Sequence, residues 1–94
     1  MEREIKRAEI LVNGLVQGVG FRYFIFKCAK SLGLKGYTRN LFSGEVLTVV
    51  EGEIHLINDL YDKLKIGPQF SDVKNAALRW SEPTNEFNNF EIKH

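Results

Sequence analysis

Between residues 8 and 32 the hydrophobic period changes from two to about 3.6 across a three-glycine connection, and no other feature restricts the fold as much. Ala8, Ile10 and Val12 alternate with Glu9, Leu11 and Asn13, the pattern of a half-buried strand ending at Asn13-Gly14. Phe21, Phe24, Ile25, Cys28, Ala29 and Leu32 then fall at i, i+3, i+4, i+7, i+8 and i+11, one apolar stripe of an amphipathic helix. Gly33 ends it, as glycine commonly does after a last helical turn. The linking segment is Gly14-Leu15-Val16-Gln17-Gly18-Val19-Gly20. The chain therefore begins as a strand that feeds a helix through a glycine-rich turn.

Two more strands are predicted at 35–41 and 45–51, joined through Phe42-Ser43-Gly44 as an antiparallel hairpin. Ile57, Leu60, Tyr61 and Leu64 mark a second helix, stopped by Gly67-Pro68. A further strand covers about 72–80, and Phe90 and Ile92 predict a short fifth strand or an apolar anchor at the C-terminus. The order βαββαβ predicts an α+β, ferredoxin-like sandwich with two helices on one face of an antiparallel four-stranded sheet. With 94 residues, the chain has room for a single domain, spanning 1–94. Its 44% hydrophobic content, with eleven aromatics, excludes disordered and low-complexity readings.

Charge is unevenly divided. Residues 10–44 carry Arg22, Lys27, Lys30, Lys35 and Arg39 and no acid, whereas residues 45–94 carry nine acids against five bases. An acid-free stretch of this length favours a small anion nearby. The single cysteine, Cys28, excludes an internal disulfide, and with only His55 and His94 it forms no zinc spacing, so no metal and no cofactor are expected. The charged start Met1-Glu2-Arg3-Glu4 does not read as a signal peptide, and no apolar run is long enough to span a membrane. A cytoplasmic, monomeric protein is the expectation.

The glycine-rich turn carries the chemistry. Glycines allow consecutive backbone N–H groups to turn inward, the first helical turn adds free N–H groups and a positive dipole end, and Arg22 at the second helical position supplies a fork for phosphate. A tight strand-to-helix turn with an exposed arginine would use the same glycines, so the loop alone leaves both readings open. The Walker A loop and the dinucleotide fingerprint are excluded, because no Gly-Lys-Ser/Thr and no third glycine follow. Leu34 stands six residues after Cys28 where a cysteine phosphatase needs arginine, and no serine sits in a nucleophile elbow. A phosphatase built from these residues would need direct attack by water on a clamped phosphoryl group, with no general acid. Acyl phosphates suit such a site: the leaving carboxylate has a conjugate acid of pKa about 4 and departs without protonation.

The run from Gly14 to Arg22 resembles the first signature of the acylphosphatase family, and Gly36-Tyr37-Thr38-Arg39-Asn40 with Gly44, Val46 and Gly52 resembles the second. The resemblance covers nearly the whole chain. It implies hydrolysis of an acyl phosphate to a carboxylate and orthophosphate, without a metal or a phosphoenzyme. It assigns the phosphoryl group to Arg22, the attacking water to Asn40, and the phosphate-binding loop to the backbone of Gln17, Gly18, Val19, Gly20 and Phe21. Thr38 departs from the family pattern, replacing a small apolar residue, and implies altered packing or substrate tuning. The cradle reads the phosphoryl group and leaves the acyl part facing solvent.

Elsewhere the plainer readings hold. Phe21, Phe24 and Ile25 are expected in the core, Tyr23, Lys27 and Lys30 on the solvent face of the first helix, and Cys28 as a small hydrophobe. His55 is placed on the surface and His94 at the terminus; Arg79 and Trp80 are read as structural, Trp80 as an anchor of the sheet. Two other classes remain. An RNA-binding module would need an aromatic-rich sheet motif that is lacking, so no nucleic-acid partner is expected. A non-catalytic phosphate- or anion-sensing domain would keep the cradle and have no use for Asn40.

Overall fold

The computed structural model describes residues 4–94, so Met1-Glu2-Arg3 of the charged N-terminus lie outside the described residues. The elements are β1 (Ile5–Leu15), α1 (Phe21–Ser31), β2 (Lys35–Asn40), β3 (Val46–Glu53), α2 (Ile54–Ile66), β4 (Asp72–Ser81) and β5 (Phe90–Lys93). They form the expected βαββαβ arrangement with the fifth strand added. The sheet order is β4-β1-β3-β2-β5. The first four strands pair antiparallel, and β5 lies parallel to β2, with Gly36 opposite Phe90, which makes the sheet mixed.

Strand β1 runs past Asn13, where the alternation ends, because β4 keeps supplying partners. The register shifts between Asn13 and Gly14, and pairing resumes with Gly14 opposite Val73 and Leu15 opposite Asp72. Likewise β3 continues to Glu53 because Ile5 and Lys6 pair with Glu53 and Gly52. Regular pairing in β2 ends at Asn40, one residue short of the expected 41, although the Leu41 N–H still donates to the Glu45 carbonyl at 2.8 Å across the turn.

One core lies between the helices and one face of the sheet. Ile10, Val12, Val46 and Val50 meet Phe21 and Ile25 of α1 and Ile57, Leu60 and Leu64 of α2, all essentially inaccessible. Phe24 is half-buried at the edge of this core. Trp80 is less of an anchor than expected: on edge strand β4 it is 40% exposed, whereas Arg79 bridges to Glu9 of β1 at 2.7 Å. Tyr23, Lys27, Lys30 and His55 are exposed as expected.

Residues 82–89, without regular structure, tie onto the opposite face of the sheet. The Glu51 carboxylate, only 6% exposed, accepts from the backbone N–H groups of Thr84 and Asn85 (2.8 and 3.1 Å), from the Thr84 hydroxyl (3.1 Å) and from the Arg7 guanidinium (3.2 Å). Arg7 also bonds Glu86 and lies over the Phe87 ring, which packs edge-on against Tyr37. Burial alone would raise the pKa of Glu51; the N–H groups of Thr84 and Asn85, the Thr84 hydroxyl and Arg7 outweigh it and hold the carboxylate below its ordinary value.

Candidate active site

The connection between β1 and α1 has the shape its glycines allow. Gly18 and Gly20 both adopt φ of +76°, where a side chain is strained, although a Cβ at either position would meet nothing within 4 Å. Conformation, not space, requires glycine there. Among the described residues, the N–H groups of Gln17, Gly18, Val19 and Gly20 have no acceptor within the protein. Helix α1 starts at once, with Gly20 as its N-cap and no side-chain cap, so its first N–H groups are also free. This concavity of donors at the positive end of a helix suits an anion.

The side chain of Gln17 does work the sequence did not reveal. Its Nε2 donates to the carbonyls of Leu41 (2.8 Å) and Glu45 (2.9 Å), at the ends of the turn between β2 and β3. These bonds fasten the loop to the strand end that carries Asn40, across 24 and 28 positions of sequence. Val19 is half-buried and packs against the core, and Phe21 is 1% exposed. Both hold the loop down from below.

Arg22 and Asn40 share one cleft of about 220 Å³ with Gly18, Gly20 and Phe21. Asn40 faces it from β2, on the same side of the sheet as Thr38. Its Oδ1 is buried and has no hydrogen-bond partner among the described residues, an expensive state for a polar atom unless something else occupies the site. Arg22 donates from Nη1 to the Lys93 carbonyl at 3.0 Å, with His94 Nδ1 at 3.3 Å. Thus β5 and the residue after it hold the guanidinium over the cleft. His94, read from sequence as a terminal residue and nothing more, lines the cleft.

Thr38 is fully buried, donates to the Leu47 carbonyl (3.1 Å) and accepts from the Thr48 hydroxyl (3.1 Å). The departure at this position is therefore accommodated by a cross-strand pair in which both hydroxyls are bonded. Cys28 is half-buried, and burial pushes its thiol pKa up, against the opposing pull of Lys63 and Lys27. It is not primed as a nucleophile. No group of three His, Cys, Asp or Glu among the described residues is placed to hold a metal ion, and no described helix is long and apolar enough to cross a membrane.

Comparison with known proteins gives a consistent result. A profile of the acylphosphatase family matches residues 8–92. An acylphosphatase of Methanococcoides burtonii is 44% identical over 90 residues, covering 96% of this chain and 94% of its own. One from Moorella thermoacetica is 42% identical over 80 residues, covering 85% and 86%. The crystal structure of the acylphosphatase from Bacillus subtilis superposes with a TM-score of 0.91 at 31% identity, covering 97% of this chain and all of the other.

Proposed function

This chain belongs to the acylphosphatase family, and on that premise we propose how its own residues divide the work of hydrolysing an acyl phosphate to a carboxylate and orthophosphate. Arg22 and the N–H groups of Gln17 to Phe21 bind the phosphoryl oxygens, and Asn40 holds the attacking water through Oδ1. The observation that carries the assignment is the unpartnered, buried Oδ1 of Asn40 in the same cleft as the arginine and the free loop donors.

The oxygen of the held water bonds to phosphorus while the bond from phosphorus to the acyl oxygen breaks. That electron pair leaves on the carboxylate, and the protons of the water pass to the phosphate product and solvent. Charge growing on the equatorial oxygens is met by donors already in place, which is where most of the rate acceleration arises in phosphoryl transfer. Because a carboxylate leaves unprotonated at neutral pH, the cleft needs no general acid. The role given to Asn40 also favours turnover over a sensing domain, which would gain nothing from a water-holding amide.

Asn40→Ala is the direct test. We expect turnover of benzoyl phosphate to fall about 100-fold or more, the usual scale for losing one positioned group, while inhibition by inorganic phosphate is unchanged. Full activity in this variant rules out the water-holding role. Activity in excess chelator should match that in untreated buffer; a strict requirement for added divalent metal overturns the metal-free route.

A further inference from the structure

Beside the phosphate cleft, and sharing Gly20 and Tyr23 with it, lies a groove of about 460 Å³ between α1 and α2. Phe24, Cys28 and Pro68 make much of its wall apolar, and no carboxylate lines it. Its charged members are Lys27 and Lys63, one from each helix. Lys27 Nζ lies 5.5 Å from the centroid of the Tyr23 ring, one turn back toward Gly20, because helical side chains lean toward the N-terminus. Neither ammonium forms an ion pair among the described residues, and both favour the charged form of the Cys28 thiol that lines the groove. The result is an apolar trough with two cations outside any ion pair, adjoining the cleft of Arg22 and Asn40 at Gly20 and Tyr23.

Resting on the acyl-phosphate reading above, we propose that this groove receives the acyl end of the substrate and favours acyl groups that carry a second anionic group. The occupant follows from continuity and charge. A phosphoryl group at the loop leaves its acyl substituent beside Gly20, where the trough offers apolar contact, and a second anion further along meets Lys27 and Lys63. Seven residues of helix separate Gly20 from Lys27, a rise of about 10 Å. An aromatic ring or short chain ending in a carboxylate fits within that span.

The test compares 4-carboxybenzoyl phosphate with benzoyl phosphate, which differ only in the distal carboxylate. The ratio of their kcat/KM values is measured for wild type, for Lys27→Gln/Lys63→Gln and for Lys65→Gln, whose lysine lies on α2 outside the groove and pairs with Asp62. We expect the double variant to lower the ratio about tenfold, chiefly through KM of the carboxylated substrate, from the loss of two exposed charge contacts. Lys65→Gln should stay within twofold of wild type. An equal ratio in wild type and the double variant overturns the groove assignment and leaves the acylphosphatase reading intact, as does an equal fall in Lys65→Gln, which would mark a general field effect. Wild type hydrolysing neither compound removes that reading, and this proposal falls with it.

Discussion

Two polar clusters, one on each face of the sheet, are built in opposite ways. On the face crossed by residues 82–89, the Glu51 carboxylate accepts four hydrogen bonds, and Arg7 is shared between Glu51 and Glu86 while it lies over the Phe87 ring. At the mouth of the helix side, loop N–H groups and Asn40 Oδ1 stand without partners, and Arg22 is held by backbone rather than by a carboxylate. Buried polar groups are ordinarily satisfied. A cluster that is satisfied costs little and adds stability, while one left open keeps binding capacity for a ligand. The first region fastens residues 84–86 onto the sheet, and the second leaves its donors and acceptor open toward a ligand.

Removing Arg22 should break this contrast most sharply. Arg22→Ala is expected to lower kcat/KM for benzoyl phosphate by about 1,000-fold or more and to abolish inhibition by phosphate, with the melting temperature within a few degrees of wild type. A large loss of stability would mean that the arginine serves the fold as Glu51 does.

Glu51→Gln probes the other region. It leaves Arg7 and the 84–85 N–H groups with a neutral acceptor, and loss of a largely buried charged partner should cost about 2 to 3 kcal/mol, seen as a midpoint shift in urea. Catalysis per folded molecule should be unaffected. Because the folded pKa of Glu51 is depressed below 4.5, its contribution is complete above that pH and is lost as pH falls through the lower folded value. The variant should therefore lose stability less steeply with acid than wild type does. Parallel acid limbs would show that the cluster does not couple to folding.

Thr38→Val gives the smallest effect. It removes a buried hydroxyl that both donates and accepts, leaving Thr48 without its acceptor, for a loss of about 1 to 2 kcal/mol. Thr38 shares the sheet face of Asn40, so the activity at saturating substrate tells whether the pair only packs or also positions the Asn40 amide. An unchanged kcat with lowered stability supports packing; a fall in kcat makes Thr38 a positioning residue.

Much of this was legible in the residues. The change of period at the glycine loop foretold β1 and α1, and the spacing of Ile57, Leu60 and Leu64 foretold α2, because side-chain patterning is how a chain declares which surface it will bury. Gly18 and Gly20 marked a turn that needs left-handed backbone, but the loop alone left a plain turn and an anion cradle both open, and only the resemblance of the two motifs to a known family chose between them. The contacts that complete the site left no such mark. Gln17 reaches carbonyls 24 and 28 residues away, Arg22 is steadied by a carbonyl on β5, and Glu51 becomes buried only when residues 82–89 cross the sheet. Backbone carbonyls carry no residue identity, so bonds to them are invisible until the strands are in register. The sequence by itself determined the elements and, through its two motifs, the family. Only the tertiary structure decided which distant backbone groups would hold the loop, the arginine and the asparagine around one cleft.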